Sequence, residues 1–313
     1  MPSYLVTGGA GFIGSHLAEA LVKKGAGVTI VDNLYSGRIE NIRTFADRVT
    51  FIRGDIRDAA TLERALEGVE AVLHEAAIPS VAKSFETPAE SLAVNLAGTA
   101  ALLEACRKKG VGKVIFASSS SVYGETPKLP KEESMDPVPK SPYALSKLSC
   151  ERLLQIYSQI YGMETASLRY FNVFGPRQDP DSEYAAVIPK FITSILRRQS
   201  PVIFGDGLQS RDFCHIQNVV RANLLCLEAR GLQGEIMNVA CGERIDLLEL
   251  VRILGELTGS RIEPRFGPER PGDVKHSLAS IERAAALIGY RVEVPLRKGL
   301  EMTISYFKND MKC

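Results

Sequence analysis

The run Val6–Leu21 reads VTGGAGFIGSHLAEAL. A short apolar strand, Tyr4–Thr7, leads into it, and a helical pattern leaves it over about Gly11 to Lys24. Between the two, Gly8, Gly11 and Gly14 are spaced GxxGxxG. Glycines let the backbone turn tightly and come close to a pyrophosphate, and the helix N-terminus then offers N–H groups and partial positive charge to it. A glycine pattern alone is weak evidence, but this one has its required context: a strand before, a helix after, and an acid at the end of the next strand. That acid is Asp32, 18 residues beyond Gly14. A carboxylate there accepts hydrogen bonds from adenosine ribose hydroxyls and repels a 2′-phosphate, which favours NAD over NADP. Arg38, close by in sequence, pulls the other way.

Outward from this turn the first half of the chain alternates. Strands are predicted over Val28–Val31, Val49–Arg53, Ala71–His74, Lys113–Ser118 and Thr165–Tyr170. Helical patterns fall at Leu62–Leu66, Pro88–Lys109 and Tyr143–Tyr161. Such alternation builds βαβ units around a parallel sheet. The fold class is therefore α/β, a Rossmann-type doubly wound parallel sheet with a smaller C-terminal α/β substrate-binding lobe. The predicted division is residues 1–171 for the NAD-binding domain and 172–313 for the second lobe, with a later helix near 217–230 packing back on the first. The second half is richer in Gly/Pro loops, with helical patterns near Ile188–Arg198, Gln217–Ala229, Leu247–Leu257 and Ile281–Ile288. Asp55 and Ile56, after the third strand, are placed to flank an adenine; Asp55 is alternatively a cap for the next helix.

Composition narrows the function classes. The chain has 313 residues, 45% hydrophobic and 24% charged, with a formal net charge of +1. Nothing in that balance points to nucleic acid or a membrane surface. No stretch approaches the length of apolar sequence needed to span a bilayer, and the N-terminus has no secretory leader, so a cytoplasmic enzyme is expected. The six cysteines form no CxxC pair and read as buried free thiols. The four histidines show no ligand spacing, and no metal site is expected.

The stretch SPYALSK puts Tyr143 and Lys147 on one face of a helix. A free tyrosine, with a pKa of about 10, is too weakly acidic to act as a base at neutral pH. A neighbouring ammonium, together with the positive charge of an oxidised nicotinamide, lowers that pKa. Tyr-xxx-Lys thus makes a usable general base beside such a cofactor.

With these motifs the chain resembles the extended short-chain dehydrogenases/reductases, in the NAD-dependent epimerase/dehydratase family, over Gly8 to about Asp273. The resemblance implies a Ser-Tyr-Lys site of Ser119, Tyr143 and Lys147. It implies a cofactor site of Gly8, Gly11, Phe12, Ile13, Gly14, Asp32, Asn33, Asp55, Ile56, Ala76, Ala77, Asn95, Tyr143, Lys147 and Tyr170. It also implies a homodimer built on helices near 91–109 and 142–161. In FASSSSVYG (Phe116–Gly124) the catalytic hydroxyl maps to Ser119, while Ser118 reads as part of a polar strand end. The family's 4,6-dehydratases carry Asp and Glu at the next two positions. Here those positions are Ser120 and Ser121, which argues against dehydration, and against the related decarboxylation, and leaves oxidation and re-reduction at sugar carbon 4.

The substrate implied by the resemblance is a UDP-sugar. Asn172 matches a diphosphate ligand, and Ala186 and Val187 match contacts near the uracil. Arg211 and Arg270 suit a diphosphate, since guanidinium offers a rigid fork to phosphate oxygens, and Asp273 suits a ribose hydroxyl. Ser277 lies where the family meets the sugar's 2-substituent; a small residue there leaves space for an N-acetyl group, and Ser277 could also cap a helix beginning near Ala279. A UDP-N-acetylglucosamine 4-epimerase, with UDP-glucose as a second substrate, is the expected function. A UDP-glucuronate 4-epimerase or another nucleotide-sugar epimerase of the same fold is the alternative, and a non-catalytic NAD-sensing protein the remote one.

Overall fold

The computed structural model describes residues 1–181, 186–260, 263–269 and 275–310. Six strands of its first half are β1 (Ser3–Thr7), β2 (Gly27–Asp32), β3 (Thr50–Arg53), β4 (Ala71–His74), β5 (Lys113–Ser119) and β6 (Glu164–Tyr170). They are rich in Val, Ile, Leu and Phe, and most are buried on both faces, as parallel strands covered by helices must be. Short strands follow at β7 (Val173–Phe174), β8 (Val202–Phe204), β9 (Ser210–Arg211) and β10 (Cys214–His215). A longer one, β11 (Gln233–Val239), precedes β12 (Ile245–Asp246) and β13 (Arg265–Gly267).

The main sheet is parallel throughout, in the order β11-β6-β5-β4-β1-β2-β3. The direction of winding reverses between β1 and β4. The carboxyl ends of those two strands therefore open a crevice, the place where ligands bind in sheets of this kind.

The helices are α1 (Phe12–Lys23), α2 (Ala59–Ala65), α3 (Val81–Glu86), α4 (Pro88–Leu92), α5 (Gly98–Lys109), α6 (Pro142–Tyr161), α7 (Val187–Leu196), α8 (Ile216–Glu228), α9 (Leu247–Thr258), α10 (Glu282–Ile288) and α11 (Leu296–Asp310). Successive strand residues point to opposite faces, so each face has its own core. Val6, Ile30, Leu73, Ile115 and Leu168 pack against Leu17 and Leu21 of α1 and Val219, Ala222 and Cys226 of α8. Leu5, Val31, Val72, Val114 and Phe116 pack against Leu62 of α2, Leu102 and Cys106 of α5, and Cys150 and Leu154 of α6. A third core joins α7, α9 and α11 through Ile192, Leu250, Leu254, Ile304 and Phe307.

Three features depart from the sequence-based expectations. The predicted helix over 88–109 is interrupted by a wider π-helical turn, Ala93–Ala97, which buries Asn95. The chain returns to the main sheet after α8, because β11 pairs with β6, so the later helix is not the only piece of the second half that does so. The last helix, α11, was not expected. Its Gly299 packs so closely that a Cβ there would lie 2.9 Å from both the His215 Cβ and the Phe174 ring. Among the described residues no helix is long and apolar enough to cross a membrane.

Candidate active site

The glycine turn is closed by its own backbone. Gly8 has φ +67°, its N–H donates to the Val31 carbonyl at 2.7 Å, and Gly11 N–H donates to the Gly8 carbonyl at 3.0 Å. A Cβ at Gly14 would stand 2.2 Å from that same carbonyl oxygen, and one at Gly8 would stand 2.8 Å from the Ala76 nitrogen. No side chain caps α1, and its first turn, beginning at Phe12 and Ile13, holds no acid. A side-chain-free cradle before an uncapped helix start fits the diphosphate of a dinucleotide.

Asp32 ends β2 with its carboxylate oriented by the backbone. Oδ2 accepts from Ala10 N–H at 2.9 Å and Oδ1 from Leu34 N–H at 2.8 Å. Burial raises its pKa, and these two bonds work against the rise. Arg38, the residue that could have favoured a 2′-phosphate, is paired with Asp179. Asn33 donates to Asp55 at 3.1 Å, and Arg57 forks onto the same carboxylate, holding its pKa down at about 2. Asp55 is not a helix cap; Asp58 caps α2 instead. Ile56 is buried against the Gly98 backbone, where a Cβ would meet its Cδ1 at 2.7 Å. Ala76 and Ala77 follow β4 and are half-buried. Asn95 spends its amide on Ile78, accepting from its N–H at 2.8 Å and donating to its carbonyl at 3.2 Å, with Ser146 Oγ a further partner. Its side chain thereby fixes the loop after β4, next to Ala76 and Ala77.

The four serines have different surroundings. Ser118 is buried and donates to Glu151 at 2.5 Å. Ser119 ends β5, accepts from Ser121 N–H at 3.2 Å, and lies close enough to the Tyr143 phenol to lower its pKa. Ser120 and Ser121 open a 3₁₀ turn, Ser120–Tyr123. Ser121 Oγ is buried and, among the described residues, has no hydrogen-bond partner.

Tyr143 and Lys147 share a face of α6, and in the protein without its cofactor the tyrosine pKa is raised. Burial pushes Tyr143 up to about 12; the Ser119 hydroxyl opposes that and the Glu75 charge adds to it. The Lys147 ammonium lies 5.8 Å from the Tyr143 ring centre and donates instead to the Ala117 carbonyl at 2.7 Å. In the protein alone the phenol keeps its proton.

One group here was not anticipated. Glu75, just past β4, accepts from Tyr170 Oη at 2.9 Å, and Asn223 of α8 donates to the same phenol oxygen at 2.8 Å. Burial pushes Glu75 up to about 7, against the Tyr170 bond and the Lys147 charge. His74 beneath it bonds Thr7 Oγ1 at 2.7 Å and Thr99 Oγ1 at 2.9 Å. Burial and Lys147 drive its pKa down to about 3, so the ring is neutral. The sequence signal was a charged residue directly behind a buried strand at the sheet's carboxyl edge.

The second lobe contributes a cavity of about 270 Å³ lined by Asn172, Ala186, Val187 and Arg211, with Phe174, Phe204 and Phe213 among its apolar walls. Asn172 has φ +35° and donates to the Asp212 carbonyl at 2.9 Å and to Ser277 Oγ at 3.0 Å. Ser277 is 9% exposed, and Asp212 N–H also donates to its hydroxyl at 3.4 Å. Ser277 does not cap a helix, because α10 starts at Glu282. Asp212, another unanticipated residue, accepts from the N–H groups of Cys241, Gly242 and Ala279 and ties three segments together. Arg270 and Asp273 lie outside the described residues.

Known proteins match this arrangement along its length. A sequence model of the NAD dependent epimerase/dehydratase family matches residues 4–240. The UDP-N-acetylglucosamine 4-epimerase from Methanobrevibacter ruminantium M1, solved in complex with UDP-N-acetylmuramic acid, is 43% identical, with TM-score 0.95 and 99% of each chain covered. The UDP-glucose 4-epimerase from Thermotoga maritima, solved with UDP-glucose, is 40% identical, with TM-score 0.94 and 99% of each chain covered. The UDP-glucose 4-epimerase of Mycolicibacterium smegmatis is 38% identical over 309 residues, 97% of this chain and 98% of that one.

Proposed function

The chain belongs to the NAD-dependent epimerase/dehydratase family, and on that premise we propose that it interconverts UDP-N-acetylglucosamine and UDP-N-acetylgalactosamine, with UDP-glucose and UDP-galactose as a second pair. The enzyme is a UDP-sugar 4-epimerase working with NAD. NAD, held by the glycine turn and Asp32, would supply reversible hydride acceptance for sugar carbon 4.

The chain's own residues do the rest. Tyr143 takes the 4-hydroxyl proton and gives it back, and Ser119, beside the phenol, lines up the sugar oxygen. Burial alone leaves Tyr143 protonated, so it becomes a base only with a cationic cofactor at hand. The glycine turn, Asp32 and the rim of Asn33 and Asp55 hold the dinucleotide. Asn172, Ala186, Val187 and Arg211, joined by Arg270 and Asp273, grip the nucleotide of the substrate while Ser120 and Ser121 face the sugar. A firm hold on UDP with a loose hold on the ring lets the keto sugar turn over. Self-association belongs to the same account, supported by exposed Ile156, Ile160 and Tyr161 on α6.

The observation that carries the N-acetyl preference is Ser277. Its small hydroxyl is held by Asn172 and Asp212, and the family resemblance puts this position against the sugar's 2-substituent, where a small residue suits an N-acetyl group. Ser277→Tyr is expected to cut turnover of UDP-N-acetylglucosamine about 10²-fold or more, and to leave UDP-glucose turnover within a few-fold of wild type. Ser277→Ala serves as the control for the lost hydrogen bonds. Equal losses on both sugars in Ser277→Tyr would contradict the assignment.

A further inference from the structure

Four neighbouring strands, β6, β5, β4 and β1, end side by side at the crevice. Their last residues and the residues just beyond place Tyr170, Ser119, Glu75 and Gly8 along one edge. Glu75 is the acid among these four. It is half-buried, and its carboxylate is fixed by Tyr170 Oη, which Asn223 in turn fixes from α8. The charged and titratable groups that interact with this carboxylate are Tyr143 and Lys147 from α6 and Tyr170 from β6; neutral His74, its chain neighbour, is spent on Thr7 and Thr99, and Cys226 of α8 acts on Tyr170.

Proton transfer gives no role to Glu75. A negative charge here raises the Tyr143 pKa, the opposite of what a base needs. Burying a carboxylate also costs free energy, so its retention in this place calls for a different reason. The reason lies in the redox cycle. Oxidation moves a hydride from carbon 4 to the cofactor and the hydroxyl proton to Tyr143, and the return step reverses both. If the 4-keto sugar escapes in between, the enzyme is left reduced, and nothing in the reaction re-oxidises it. A nicotinamide ring is cationic when oxidised and neutral when reduced, so a fixed carboxylate nearby favours the oxidised form.

Given the NAD-dependent 4-epimerisation set out above, we propose that Glu75, held by Tyr170, is a positioning residue whose charge keeps the cofactor oxidised between turnovers and drives hydride back onto the keto sugar. It acts through its field and touches no reacting atom.

The test compares full-length wild-type and Glu75→Gln enzyme, each loaded with NAD and mixed with UDP-N-acetylglucosamine. The readout is the near-ultraviolet absorbance of reduced nicotinamide, with total bound cofactor measured after denaturation. The variant is expected to hold about tenfold more reduced cofactor at equal loading, the effect of about one pKa unit of lost charge interaction. In wild type the reduced fraction is expected to rise as pH falls from about 8 to about 6, through the Glu75 titration near 7. Ionisation of Tyr143 acting alone drives that fraction the other way, up with pH, so the sign separates the two. If Glu75→Gln fails to fold, the wild-type pH series carries the test by itself. Equal reduced fractions in both proteins, or a wild-type fraction that does not rise as pH falls, would overturn the proposal. Wild-type enzyme that turns over normally and gives either result removes only the role of Glu75. Wild-type enzyme that neither holds NAD nor epimerises removes the functional assignment as well.

Discussion

Tyr143 sits where burial and the Ser119 hydroxyl oppose each other, and burial wins. The consequence is a phenol that stays protonated until a cation arrives, which confines base chemistry to the loaded enzyme. Tyr143→Phe removes the proton acceptor and little else, since the ring remains in its packing. Turnover is expected to fall by about 10²–10⁴-fold while bound NAD stays at wild-type stoichiometry; near-normal turnover would exclude Tyr143 as the base. The Gly8-Gly11-Gly14 turn and the Tyr143–Lys147 pair were legible in the sequence because chemistry fixes both residue type and spacing. Glu75 was not, because its partner Tyr170 lies 95 residues away and no local pattern joins them. The direction of the Tyr143 shift was also illegible: it depends on how deeply α6 is buried and on Lys147 reaching Ala117.

The turn that carries Ser119 is built on a buried ion pair. Arg169 of β6 forks onto Glu151 of α6 with Nε to Oε1 at 2.8 Å and Nη2 to Oε2 at 2.7 Å, and the two side chains are 1% and 0% exposed. Ser118 adds a third bond to that carboxylate, and the Arg169 guanidinium stacks over Tyr123 at 4.6 Å. Tyr123 closes the far side by donating to Asn238 at 2.7 Å. Strand β5, the serine turn, α6 and β11 are thereby locked in one register. Glu151→Gln leaves a buried guanidinium without its counter-charge and is expected to cost about 3–5 kcal/mol in urea unfolding. A loss below about 1 kcal/mol, within the range of an exposed pair, would show that the network is not what holds the turn. At this scale the regular elements were well predicted, because buried strands and amphipathic helices carry their period in the sequence. The π turn at Ala93–Ala97 and helix α11 were not. The first is set by Asn95 reaching Ile78, and the second is masked by a glycine that close packing requires.

Across the whole molecule the two halves interleave. β11 and α8 return to the main sheet, while α7, α9 and α11 gather around a core of their own. The change to Gly- and Pro-rich loops after about residue 172 was visible in composition, but the return of β11 was not, since pairing at a sheet edge is a tertiary choice. The second-lobe cavity likewise draws on residues 172, 186 and 211, which only the fold brings together. In the proposed account the halves divide the labour, with redox chemistry at the sheet edge and the substrate nucleotide in the second lobe. The most direct measurement is proton NMR of the purified enzyme incubated separately with UDP-N-acetylglucosamine and UDP-glucose. Conversion of the N-acetylated sugar to its galacto epimer, faster than conversion of UDP-glucose, is the expected result. No conversion of either sugar, with NAD supplied, would contradict the account.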